Sequence, residues 1–261
     1  MVAVTETVAV DTTFLFERSA CMFLGVDAIA SDGQNNTSAY GFLRSLLRLV
    51  KALGSCPIVA LATAETFTNA NPDHVRRISS ILDALGAPVY SRPDEDLVKV
   101  CAHIQTSVRA IVSKSNLPLQ FVSDGFVVIR PGTDYEQPIM VDADVIREQF
   151  GVKPVLIPTF LALTTGPRSS RLTVRQARRL ISAHGDLEGI YRGVSDIDRI
   201  AVKLQTFRKE IVERYGGYDA ICRGLVSRQS KEIPAGRLGE DRTRAISILR
   251  QMGCHSLVRL L

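Results

Sequence analysis

Apolar positions along this chain fall into short runs and helical stripes that alternate through its first half. Val8 to Leu15 is largely apolar and β-branched and predicts a first strand with Asp11 inside it. An acid in such a strand is costly to bury unless it is paired or ligates a metal. Asp32 to Thr37 predicts a polar loop ending in an N-cap. From Tyr40 to Leu53 the spacing is helical: Phe42, Leu43, Leu46, Leu47, Val50 and Leu53 make one stripe, Arg44, Arg48 and Lys51 lie opposite, and Gly54 supplies a stop. Pro57 to Thr63 is apolar throughout, the pattern of a central parallel strand. Glu65 to Asp73 reads as a polar connection and His74 to Leu85 as a helix with Val75, Ile78, Ile81, Leu82 and Leu85 inward.

A third strand over Ala87 to Tyr90 leads into Asp94-Glu95-Asp96, which heads a helix predicted from Leu97 to about Val112. Acids in a first helical turn are favoured by the helix dipole. Carboxylates at the C-terminal end of a strand in an α/β sheet also lie where such folds build sites, and a cluster there suits hard divalent metals. Leu119 to Ser123 predicts a fourth strand ending at Asp124-Gly125, Phe126 to Arg130 a short apolar element, and Ile139 to Val141 another strand. Asp142 caps a helix over Ala143 to Phe150, closed by Gly151. The expected fold is therefore α/β, a parallel-type sheet with helices on both faces over residues 1–152. Residues 153–261 form a helical C-terminal portion packed on it. Its helices are Pro158 to Leu163, Thr173 to His184, Leu187 to Arg192, about Asp196 to Tyr215, and Arg242 to Leu249, with Ser227 to Glu240 as a basic surface loop.

Composition narrows the function classes. The 261 residues are 46% hydrophobic and 23% charged, enough for one substantial core and unlike a disordered chain. Net charge is +5 and the pI about 9.1, which permits a nucleic-acid partner without requiring one. The five cysteines are odd in number, widely spaced and free of CxxC pairs, so they predict reduced thiols in an intracellular, reducing compartment. No apolar run approaches about 18 residues, so no membrane partner is expected. Met1 to Val10 holds no Arg or Lys, so it reads as neither signal nor transit peptide, although a transit peptide removed earlier would leave no trace. His74, His103, His184 and His255 lack ligand spacing with the cysteines, so no zinc site is expected.

Taken in order, several stretches resemble the 5′–3′ exonuclease and flap endonuclease family, a PIN-like family that includes the N-terminal exonuclease domain of bacterial DNA polymerase I. They are Val10-Asp11 with Leu15 and Arg18, Tyr40-Gly-Phe-Leu-Arg-Ser-Leu-Leu, Ile81-Leu-Asp-Ala-Leu-Gly86, Glu95-Asp96, Phe121-Val-Ser-Asp124, Asp142 to Gly151 with Lys153-Pro154, Phe160-Leu-Ala-Leu-Thr-Thr-Gly166, Ala177-Arg-Arg-Leu-Ile181 and Gly185-Asp-Leu-Glu. The collinear series runs from about Val8 to Leu261 and no single motif decides it. The resemblance implies an α/β core plus a helical portion that grips duplex DNA. It also implies two divalent ions in a carboxylate ring, since metals about 4 Å apart repel and need several anionic oxygens to hold them. Carried over, the ring would draw on Asp11, Glu95, Asp96 and Asp124.

The departures weigh against cleavage. Leu61-Ala62-Thr63 stands where the second strand should end in an acid, Pro93 near where a further glutamate is expected, with Asp94 as its one candidate substitute, and Phe126 where a second acid should follow the fourth strand. Pro167-Arg168-Ser169-Ser170-Arg171 replaces a run of acids with cations. The segment between the second strand and the His74 helix is too short for the family's basic arch and has no Lys or Arg. The glycines of the family's helix-hairpin turn are absent around Ser169 to Thr173.

These features predict a pseudoenzyme: a nuclease fold kept as a nucleic-acid-binding or structural subunit, with Asp11, Glu95, Asp96 and Asp124 as vestiges and no cofactor. Arg168, Arg171, Arg175, Arg178 and Arg179 form a basic row without an intervening acid and are the expected nucleic-acid contacts. The expected partners are nucleic acid, RNA before DNA, and protein subunits of a larger assembly such as a mitochondrial ribosome or its assembly intermediate. The matrix is then the expected compartment. The alternatives are an active Mg²⁺-dependent exonuclease or flap endonuclease with a reduced acidic site, and a protein scaffold that touches no nucleic acid.

Overall fold

The computed structural model describes residues 6–22, 37–135, 137–164, 171–193 and 233–261. Arg168, the polar loop over 32–36, residues 227–232 of the basic loop and the helix predicted over Asp196 to Tyr215 lie outside the described residues.

Six strands form one sheet in the order β3-β2-β1-β4-β5-β6. They are β1 (Val8–Asp11), β2 (Ile58–Ala62), β3 (Val89–Ser91), β4 (Ala110–Val112), β5 (Val127–Arg130) and β6 (Ile139–Val141). The first five run parallel and β6 is antiparallel to β5. In β1, β2 and β4 every residue is buried, as expected for strands covered on both faces.

Alternation along the strands divides the core in two. Val8, Val10, Ile58, Ala60, Ala110 and Val112 face one layer. That layer contains α1 (Thr13–Met22), α2 (Thr37–Ala52), α4 (Pro72–Ala84) and α10 (Arg242–Gln251). Ala9, Val59, Leu61 and Ile111 face the other, formed by α5 (Leu97–Ile104), α6 (Ala143–Phe150), α7 (Ile157–Thr164), α8 (Val174–His184) and α9 (Leu187–Gly193). The predicted stripe of α2 is buried along its whole length, from Phe42 to Leu53. Residues 236–261 return to the α2 side, where Gly236 exchanges backbone hydrogen bonds with Ile58 and the Tyr40 and Ser256 hydroxyls meet at 2.9 Å.

Four predicted elements need correction. β1 stops at Asp11, and Leu15 is a buried residue of α1. The change of direction is fixed locally: the Asp11 carboxylate accepts from the Thr13 N–H, and the Thr12 hydroxyl donates to the Leu61 carbonyl. The predicted connection from Glu65 to Asp73 contains a helix of its own, α3 (Ala64–Asn69), capped by Thr63 and Thr66, before Asn71 and Pro72 start α4. The helix from Leu97 ends at Ile104, and residues 110–112 form β4 instead of its continuation. Leu119 to Ser123, predicted as the fourth strand, is mostly a 3₁₀ turn over Leu117–Phe121 with Pro118 in its first turn. None of the described helices is long and apolar enough to cross a membrane.

Candidate functional site

The strand order reverses between β1 and β4, and Asp11 and Ser113 follow from that reversal at the C-terminal ends of these two strands. Such a switch point is where open α/β sheets bind ligands. Here a hydrogen bond spans it: the Ser113 hydroxyl donates to Asp11 Oδ2 at 2.7 Å. Asp11 is 3% exposed and its other carboxylate oxygen accepts from Thr13 N at 3.1 Å. Burial pushes its carboxyl pKa up, against the hydrogen bonds from Ser113 and Thr13.

Three more acids stand at this edge, and protein donors engage two of them. Asp96 is the N-cap of α5 and accepts from Lys99 N at 2.8 Å. Glu65, one turn beyond β2, reaches across to the same helix end: it accepts from Leu97 N at 3.1 Å and from the Thr63 hydroxyl at 2.8 Å. The third, Glu95, lies 3.3 Å from His103 Nδ1. Sequence reasoning missed Glu65, since it sought the acid within β2 and read 65–73 as a connection. The Thr63-to-Thr66 capping spacing was the available signal. Buried Cys101 reports the clustering. Burial is the main cause holding its thiol pKa high, and the charges of Asp11, Glu65 and Asp96 add to it.

Asp124 does not join this group. It is exposed, in a turn closed by reciprocal backbone bonds between Ser123 and Phe126, just before β5. That is the N-terminal edge of the sheet, opposite Asp11, and there Arg109 Nη1 donates to the Asp124 carbonyl. The expected convergence of Asp11, Glu95, Asp96 and Asp124 therefore fails at Asp124, because the strand before it was assigned one element too late. The loop that does follow β4 is Ser113-Lys114-Ser115-Asn116, without an acid. Arg130, at the end of β5, clamps it: Nη1 donates to the carbonyls of Ser113, at 2.8 Å, and Ser115, and Nη2 donates to Asn116 Oδ1 at 2.6 Å.

The arginine row divides likewise. Arg171, Arg175 and Arg179 are exposed at four-residue spacing along α8 and the turn before it, so they form one ridge. Arg178 belongs to the interior instead: half-buried, it donates to the Gln149 and Phe150 carbonyls at the end of α6. Val174 stands at helical spacing from the buried Ala177, Leu180 and Ile181 but is itself 49% exposed.

Solved structures with this architecture include the catalytic core of Rad2 in complex with DNA substrate, with a TM-score of 0.61 and 15% identity over 98% of this chain and 93% of that one. Human GEN1 in complex with Holliday junction DNA gives 0.60 and 13% over 98% and 71%. A mutant of the bacteriophage T5 5′-exonuclease gives 0.56 and 12% over 94% and 98%. This is the fold of the 5′–3′ exonucleases and flap endonucleases. No protein-family model and no curated protein matches the sequence.

The 5′–3′ exonuclease fold implies a divalent metal pair, and the residues at this edge do not fit one. Among the described residues no three His, Cys, Asp or Glu side chains are grouped to hold a metal ion. Asp11 has both oxygens on protein donors, Asp96 and Glu65 hold the α5 N-terminus, and the β4 loop carries Lys114 in place of acids. Cations there add to the repulsion that a metal ring must overcome.

Proposed function

We propose that this chain is a nuclease-fold protein that binds nucleic acid without cleaving it. The observation that carries the reading is the engagement of Asp11, Glu65 and Asp96 as internal hydrogen-bond acceptors, which leaves a metal pair too few free carboxylate oxygens. The α8 ridge supports binding. Arg171 and Arg175 sit at the positive end of a helix dipole with no acid in its first turn, a placement that costs about 0.3–1 kcal/mol per charge and that an anionic partner would offset. Rad2 and GEN1, which share the fold, were solved with DNA. The basic composition is consistent with a subunit that faces RNA in a larger ribonucleoprotein assembly, and we extend the proposal to an organellar one.

The test is incubation with Mg²⁺ or Mn²⁺ and flap, nicked and single-stranded substrates, beside a binding titration in chelator. Binding without cleavage is expected. Efficient metal-dependent cleavage that disappears in Asp11→Ala would overturn the proposal. Glu65 favours a second reading, a metal-dependent nuclease with a rearranged site, because it restores an acid beyond β2. The same cleavage assay with Glu65→Gln decides it.

A further inference from the structure

We propose that the outer side of α2, with the C-terminal residues that flank it, docks an acidic amphipathic helix of another protein. This goes beyond nucleic-acid binding and does not depend on it, since α2 and the α8 ridge belong to opposite layers of the sheet.

The positive charge of the chain is concentrated here. α2 carries Arg44, Arg48 and Lys51 and no acid, and residues 236–261 carry five arginines against Glu240 and Asp241. Together they hold a formal +6, against +5 for the whole chain. Asp241 is engaged as the N-cap of α10. The fold gathers these cations along one line. Tyr40, Arg44 and Arg48 stand at four-residue spacing on α2, with Lys51 one turn further on. At the Tyr40 end the hydroxyl meets that of Ser256 at 2.9 Å. Ser256 lies in the 3₁₀ helix His255–Leu260, where side chains three apart eclipse, so Arg259 stands on the Ser256 side. At the Lys51 end Gly236 is bonded to Ile58, and burial pushes the Cys56 thiol pKa up while the charge of Arg237 opposes it. Lys51, Arg237 and Arg259 are exposed and Arg48 is half-buried. Among the described residues none of these four forms an ion pair with a carboxylate, Glu240 included. Leu238, Val258 and Leu260 are half-buried next to Arg237 and Arg259 in the chain. Arginine mixed with aliphatic surface suits a protein partner, whereas nucleic-acid interfaces are more polar. A guanidinium receives a carboxylate through two parallel hydrogen bonds. A helix with glutamates at four-residue spacing and leucines between them therefore matches both the row and its apolar flank.

The experiment titrates the full chain against a fluorescein-labelled peptide of glutamate and leucine patterned as an amphipathic helix. Its twin with glutamine for glutamate, a single-stranded RNA and a duplex DNA are the comparisons. The wild type should bind the acidic peptide about tenfold more tightly than the glutamine twin, by a margin that shrinks as salt rises. Arg48→Gln/Lys51→Gln/Arg237→Gln should weaken peptide binding about tenfold and keep the wild-type thermal midpoint and nucleic-acid affinity. Should that variant fold poorly, Lys51→Gln and Arg259→Gln, each at an exposed position, carry the same comparison with about two- to threefold losses. Arg171→Gln/Arg175→Gln/Arg179→Gln should leave peptide binding unchanged. Equal affinity for the two peptides would overturn the inference, as would wild-type peptide affinity in the α2 variants. Loss of RNA or DNA affinity in those variants with peptide binding intact would give the face to nucleic acid and overturn it too. A chain that binds the acidic peptide through this face and binds neither RNA nor DNA upholds the inference and removes the nucleic-acid reading.

Discussion

The carbonyl oxygen of Gly86 lies against Gly236 so closely that a Cβ added to Gly236 would be 2.1 Å from it. Gly86 itself has φ +85°, and a Cβ there would be 2.9 Å from the Arg237 carbonyl oxygen. Each backbone leaves room only for hydrogen at the other. This crossing lets 236–239 dock on the start of β2, with Ile58 and Gly236 exchanging hydrogen bonds and Gly239 N donating to the Leu85 carbonyl. Gly236→Ala should destabilise the protein by about 1–3 kcal/mol, the usual cost of overpacking where backbone must move. Urea denaturation is the measurement, and an unchanged midpoint would refute the crossing.

The α2 stripe gives a second prediction. Leu47 is 3% exposed within the layer against β1 and β2. Leu47→Ala should cost about 2–5 kcal/mol, as truncation of a buried leucine does. A change within error in the same denaturation experiment would mean that the stripe is not core.

Asp11 predicts a pH dependence. Its folded carboxyl pKa lies above the ordinary value, with burial the main cause. A raised pKa means that the native state holds the proton more tightly than the unfolded chain. The stability this contributes is complete below the unfolded pKa of about 3.9 and is lost as pH rises through the folded one. Asp11→Asn, which carries no charge, should therefore gain on the wild type between pH 4 and pH 7. Parallel urea titrations at four pH values check this, and a difference independent of pH would contradict it.

Arg178 and its neighbours should separate stability from binding. Arg178→Ala leaves the Gln149 and Phe150 carbonyls without their guanidinium and should cost about 1–3 kcal/mol while sparing nucleic-acid affinity. Replacing Arg171, Arg175 and Arg179 with Gln should do the opposite. Thermal midpoints and salt-dependent binding curves, measured on both variants, distinguish the two roles.

Much of the fold was legible because periodicity reports burial directly. The stripe of α2, the fully apolar β2, and α6 between Asp142 and Gly151 each carry one unambiguous pattern. Residues 110–112 do not, since a strand buried on both faces and a buried helical turn present the same apolar run. That ambiguity propagated: with β4 read as helix, the next apolar stretch became the fourth strand and Asp124 was moved to the wrong edge of the sheet. The site was less legible than the fold. Asp96 as an N-cap followed from its place before Leu97, but the reach of Glu65 across to α5 and of Arg130 across to the β4 loop are tertiary facts with no local signature. The arginine row showed a charged face without showing that Arg178 turns inward.

The contact between the Tyr40 and Ser256 hydroxyls spans 216 positions of the chain. It bears on the order of events during synthesis. The outer side of α2 is covered by 236–261, so on the ribosome that helix emerges with Leu46 and Leu49 long before the residues that shield its layer. Likewise β1 lies mid-sheet and lacks its β4 neighbour until residue 112 has left the exit tunnel. Pairings so distant in sequence form slowly. The nascent chain therefore carries a bare apolar surface through most of its elongation, an interval in which a holding chaperone would bind it.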